Sequence, residues 1–213
     1  MEKLMLNKII SKGSLIKTSH SNSPWITNVV LNVYDNTIQI ELKEGHIESL
    51  IFVGDKIKGK FSVNNLEYLF EGIVQSIDMS NLCVFEILIE KINAFENTRG
   101  SDRYDTHIIS KMNVSKNAPI YAIVTSISPS GISLLSKCDF PLDGESYIEV
   151  FINRGCILSF DGKVMRKTPS CHGFEYGIKI TNIDEENNSI LSDLLNHLKM
   201  QDRLVLDRYL SSL

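Results

Sequence analysis

The sequence predicts an all-β protein: two small β-barrels in tandem, the second six-stranded and followed by a C-terminal helix. Three observations carry this reading. Short runs of alternating apolar and polar residues, each closed by a Gly, Asn or Asp turn, fill roughly the first 90 residues. After residue 104 the same pattern resumes, with about six more strands. A polar, glycine-containing stretch separates the two, and sustained helical periodicity begins only at Asp184. The expected division is a barrel over 1–93, a linker over 94–104, and a barrel with its helix over 105–213.

Residues 1–17 form an apolar and basic lead-in, expected as an edge strand or a short helix. From Trp25 the pattern becomes β. Val29, Leu31 and Val33 alternate, Asp35-Asn36 supplies a turn, and Ile38, Ile40 and Leu42 alternate again. Gly45 breaks the chain, and residues 47–53 lead to Gly54-Asp55. Ile57, Gly59, Phe61 and Val63 share a face, Asn64-Asn65 reverses the direction, and residues 66–74 return. Residues 78–81 turn once more into a strand over 82–92.

In the second half, strands are expected near 104–112, 120–127, 131–135, 147–152, 156–167 and 173–181. Asp143-Gly144 and Asn153-Arg154-Gly155 are turn sequences. Gly162 inside a long strand marks a bulge or bend, and Gly177 a close approach of another backbone. Asp184 is an N-cap, with Glu185 and Glu186 in the first turn. Ile190, Leu191, Leu194, Leu195 and Leu198 form a stripe suited to lidding the second barrel. A further amphipathic segment, 204–210, has no evident intramolecular surface for Leu204, Leu206 and Leu210, which makes it a candidate for pairing subunits.

Composition narrows the function. The 213 residues are 43% hydrophobic and 23% charged, the balance of an ordinary globular chain. A net charge of −4 argues against a nonspecific DNA- or RNA-binding surface, although a local arginine pair could still hold one small anion. Cys83, Cys138, Cys156 and Cys171 lack C-x-x-C spacing and read as buried or half-buried thiols of a reducing compartment. The N-terminus does not read as a signal peptide, and no apolar run is long enough to span a membrane, so a cytoplasmic location is expected. The five histidines show no metal-ligand spacing, with His107 expected on the outer face of its strand. No nucleophile elbow, P-loop or dinucleotide fingerprint occurs. No catalytic residues, metal ligands or cofactor are expected, and the chain does not read as an enzyme.

Function is concentrated instead between 97 and 135. Arg99 and Arg103 stand at i, i+4 in N-T-R-G-S-D-R-Y-D. Taken alone, such a pair reads as a solvated linker. About 25 residues later a strand runs into S-I-S-P-S-G-I-S-L-L, bringing Ser126, Ser128, Ser130 and Gly131. Guanidinium forks grip phosphate, or the Hoogsteen edge of guanine, through paired hydrogen bonds. The turn adds hydroxyls, backbone N–H groups and a glycine free to take positive φ. Together they suit a purine nucleotide bearing phosphate.

The order of these parts, followed by F-D-G-K-V-M-R-K, F-E-Y-G-I-K-I and a helix, resembles the PilZ domain family of cyclic di-GMP receptors. The family signature is R-x-x-x-R followed by [D/N]-x-S-x-x-G. Arg99 and Arg103 match the first half, Ser128 and Gly131 the second, and Ser126 stands at the Asp/Asn place. The resemblance covers 97 to about 198, and the preceding segment is similar to the N-terminal barrel of flagellar-brake-type members. It implies a cyclic di-GMP receptor that changes interdomain arrangement and regulates a protein partner. For this layout the family-level partner is a flagellar motor component, with exopolysaccharide or other secretion machinery equally suited. The alternative is a degenerate PilZ-like adaptor that does not bind the nucleotide.

Overall fold

A computed structural model describes residues 6–20, 23–41, 51–80, 83–98, 100–113, 119–170 and 172–211. The readings on Arg99, Leu42, Gly45, His46, Cys171 and residues 47–50 lie outside the described residues. The chain divides into two compact units: Met1–Arg99 with Gln201–Leu213, and Gly100–Met200.

The first unit is a closed antiparallel barrel of β1 (Leu15–His20), β2 (Ile26–Tyr34), β3 (Thr37–Glu41), β4 (Lys56–Val63), β5 (Leu66–Asp78) and β6 (Val84–Glu96), in the order β1-β2-β3-β6-β5-β4. A 3₁₀ turn, Leu6–Lys8, precedes it. Asn64 and Asn65 both take positive φ, 49° and 62°, as the two-residue hairpin between β4 and β5 requires. Alternate residues of each strand turn inward, and Ile16, Val30, Ile38, Val74 and Ile87 are sealed in the core. The β5–β6 ladder continues through Tyr68↔Ala94 to Leu66↔Glu96. The expected linker over 94–104 is therefore shorter: Ala94–Glu96 are strand, and 97–103 connect β6 to β7.

The second unit is a closed antiparallel barrel of β7 (Tyr104–Asn113), β8 (Ile120–Ser128), β9 (Gly131–Ser136), β10 (Glu145–Asn153), β11 (Cys156–Ser170) and β12 (Gly173–Asn182), in the order β10-β11-β12-β9-β8-β7. Its core holds Val124, Leu134, Ile148, Val150, Leu158 and Tyr176, each wholly or almost wholly buried. Tyr176 packs edge-on against Phe140 at 5.0 Å, and its hydroxyl donates to the Cys138 carbonyl at 2.9 Å. Burial pushes the Tyr176 phenol pKa up. Gly162 marks a register shift in the β11–β12 ladder, as its place in a long strand suggested. Cys138 is exposed, unlike the half-buried Cys83 and Cys156, because it follows β9 in a surface turn.

One helix, α1 (Glu185–Ser211), replaces the two expected segments, since neither Gly nor Pro interrupts the sequence between them. Asp184 caps it, accepting the Asn187 N–H at 2.7 Å; this bond holds the Asp184 carboxyl pKa below its ordinary value. Leu191 and Leu194 join the core of the second barrel. The final turns cluster with the first unit instead, where Val205 and Tyr209 are buried with Val29. The end of the helix thus has an intramolecular surface, formed by residues that the leucine pattern passed over. Leu204 and Leu210 remain exposed, and Leu206 is half-buried.

Candidate functional site

β7 begins immediately after Arg103, and the pairs Tyr104↔Ile127 and Asp105↔Ser126 set this start beside the end of β8. The arginine-bearing segment and the serine-rich turn, some 25 residues apart in sequence, are thereby neighbours. β8 and β9 form a tight hairpin in which Ser128 pairs with Gly131 across Pro129 and Ser130.

Within that hairpin the motif residues have separate duties. The buried Ser128 hydroxyl donates to the Gly131 carbonyl at 2.9 Å, so it braces the turn. Ser130 is exposed, and its carbonyl accepts the Ile180 N–H at 3.0 Å, tying the turn to β12. Gly131 does not take the positive φ expected of it. Its requirement is steric: a Cβ there would lie 2.3 Å from the Ile178 carbonyl oxygen. Gly177 also differs from expectation, for its close neighbour is the Arg166 side chain, 3.3 Å from where its Cβ would stand.

Ile127, Ile132, Leu134, Tyr176 and Ile178 point into the core. Strand alternation then turns Ser126, Ser133 and Gly177 to the outer face of the barrel. Register aligns them in one row across five strands: Asp105↔Ser126, Ser126↔Ser133, Ser133↔Gly177 and Gly177↔Arg166. Ser126 and Ser133 face outward yet are only 7% and 4% exposed. The exposed Arg103 lies over this face, with Nη1 3.5 Å from the Ser133 Oγ, at the outer limit of a hydrogen bond. Among the described residues, the Ser126 hydroxyl makes no side-chain hydrogen bond.

The structure thus brings Arg103, Ser126, Ser128, Ser130 and Gly131 to one end of the barrel, while Arg99 lies outside the described residues. Sequence reasoning did not place Ser133, Gly177 and Arg166 beside Ser126. Alternation within G-I-S-L-L and F-E-Y-G-I-K-I marks the first two as outward; only the pairing register puts them in the same row. An exposed guanidinium beside a floor of small polar side chains can take an anion, or a flat ring with hydrogen-bonding edges. Elsewhere on this barrel a groove of about 400 Å³, lined by His107, Ile108, Ile109, Tyr121, Phe151 and Ile152, has mostly apolar walls. Among the described residues no three His, Cys, Asp or Glu side chains are grouped to hold a metal ion, and no helix is long and apolar enough to cross a membrane.

Residues 97–197 match the PilZ domain family. No curated protein sequence matches the chain. Among solved structures, the chain is similar to Escherichia coli YcgR in complex with c-di-GMP, at 11% identity, covering 92% of this chain and 88% of that one, with a TM-score of 0.49. It is also similar to the Bacillus subtilis inhibitor of motility MotI/DgrA, at 12% identity, 91% and 100% coverage, and a TM-score of 0.46. The K. pneumonia MrkH–c-di-GMP complex stands at 13% identity, 89% coverage of each chain, and a TM-score of 0.45.

Proposed function

We propose, from the premise that residues 97–197 match the PilZ domain family, that this chain is a receptor for cyclic di-GMP. The observation that carries the proposal is the Arg103 guanidinium, 3.5 Å from the hydroxyl of Ser133, which pairs with Ser126 in the row that starts at Asp105. That contact is weak enough to exchange for a phosphate or a guanine edge. Arg99 belongs to the same segment and supplies the second fork. Ser126 offers its hydroxyl, while Ser128, Ser130 and Gly131 keep the hairpin in the shape that receives the ligand.

Titration calorimetry on the full chain tests this. Arg99→Ala and Arg103→Ala should each weaken binding by about 10- to 150-fold, the equivalent of roughly 1.5–3 kcal/mol for a charged hydrogen bond. Arg103→Lys should fail similarly, because an ammonium cannot form a planar fork. Unchanged affinity in folded alanine variants removes the site. Ser126, standing where the family signature has Asp or Asn, favours the rival reading of an adaptor that binds no nucleotide. A silent wild-type titration would establish that rival.

The output is a change in the arrangement of the two units, read by a protein partner. Both arginines lie on, or at the end of, the 97–103 connection, so gripping a ligand orders the segment through which the units are joined. Small-angle scattering should change at saturating cyclic di-GMP. An identical profile with and without bound ligand would leave a receptor that does not switch.

A further inference from the structure

Arg166 occupies the far end of the row that starts at Asp105 and passes Ser126, Ser133 and Gly177. Two strand spacings, about 10 Å, separate its backbone from that of Ser133. Between them the outward positions hold nothing larger than a hydroxymethyl group. The missing side chain at Gly177 gives Arg166 its room: a Cβ there would lie 3.3 Å from Arg166 Cβ and 3.6 Å from its Nε. The guanidinium turns along β12 to Glu175, donating from Nη2 to Oε1 at 2.9 Å, with both side chains about half exposed. The Arg103 guanidinium lies 3.5 Å from the Ser133 hydroxyl. The Ser126 hydroxyl is on the same face, more than nine-tenths buried and without a side-chain hydrogen bond among the described residues.

We infer that Arg166, positioned by Glu175, reads a guanine base at this site and selects cyclic di-GMP over cyclic di-AMP; the inference rests on the receptor reading above. A guanidinium carries five donors, and one bond to Glu175 leaves a pair free. Guanine offers adjacent acceptors, O6 and N7, matched by that pair. Adenine places an N6 donor beside N7 and meets the same guanidinium with one bond and one opposed N–H. Glu175 fixes the plane of the fork, so that a base entering over Gly177 finds it oriented.

The test titrates the full chain with cyclic di-GMP and cyclic di-AMP, using wild type, Arg166→Ala, Arg166→Lys and Glu175→Gln, with melting curves to establish folding. Arg166→Ala should bind cyclic di-GMP about tenfold more weakly and cyclic di-AMP nearly as before, collapsing the preference. Arg166→Lys should not restore it, and Glu175→Gln should lower the ratio without changing the melt. A folded Arg166→Ala variant that keeps both affinity and preference overturns the inference, and leaves the receptor reading standing if Arg103→Ala still loses binding. A wild type that binds neither nucleotide overturns both. Should Arg166→Ala fail to fold, the ratio in Glu175→Gln decides: a fall supports the assignment and an unchanged ratio refutes it.

Discussion

At the scale of single residues, Ser126 sets the strength of the proposed site. Its hydroxyl makes one neutral bond, worth about 0.5–1.5 kcal/mol, where a carboxylate would make a charged one of about 1.5–3. A carboxylate there would also face the ligand's phosphates, so Ser126→Asn is the cleaner comparison. It adds a donor and an acceptor without charge. Calorimetry should show Ser126→Asn binding cyclic di-GMP roughly fivefold more tightly, the equivalent of about 1 kcal/mol. Weaker binding would mean that the space between Asp105 and Ser133 is fitted to a hydroxyl. Residue spacing drew attention to this proposed site because R-x-x-x-R and S-x-x-G are local in sequence. It did not disclose the duties within it. Ser128 looked like a ligand group, yet its hydroxyl is engaged by the Gly131 carbonyl, and Gly131 answers to the approach of Ile178 rather than to φ. Arg166 was invisible as a member of the row through Ser133 because pairing register, not spacing, relates them.

At the scale of elements, alternation was a dependable guide wherever one face of a strand meets the core. In β9, Ile132 and Leu134 are sealed while Ser133 faces outward, the pattern that period-two reading anticipates. Turn chemistry was legible for a related reason. Asp35, Asn64, Asn65 and Asp143 all take positive φ, a conformation that Asn and Asp tolerate better than other residues with side chains. Strand ends were harder to place. Ala94–Glu96 read as polar linker, but the β5–β6 ladder carries them onward opposite Leu66 and Tyr68, and a ladder is a long-range fact. The helix was expected correctly, but the packing residues of its last turns were missed. The leucines at 204, 206 and 210 drew attention, whereas Val205 and Tyr209 are the residues that pack. A stripe one position over is easily missed when apolar residues stand on both sides of it.

At the scale of the whole molecule, the last turns of α1 belong to the first unit, and this gives the C-terminus a structural task. Val205 and Tyr209 are 7% and 6% exposed, packed with Val29 of β2. Asp202 adds polar ties, accepting a hydrogen bond from Thr27 at 2.6 Å and pairing with Lys17 at 3.2 Å. Deleting Gln201–Leu213 therefore uncovers the outer surface of β2, and the lost burial of two large side chains is worth about 3–5 kcal/mol. The single tryptophan, Trp25, lies in this unit, with the Lys60 ammonium 4.4 Å above its ring, so its fluorescence reports on the first barrel. Urea titration should show the tryptophan transition moving to lower denaturant in the truncated chain, by an amount matching that loss. Leu191 and Leu194 are retained in the core of the second barrel, so calorimetry should find nucleotide affinity there unchanged. Sedimentation of the two proteins separates this account from the subunit-pairing one, since the exposed Leu204 and Leu210 leave with the same deletion. Equal subunit number with an earlier tryptophan transition means that the helix end serves its own chain. A halved mass with no change in that transition means that it serves a second copy.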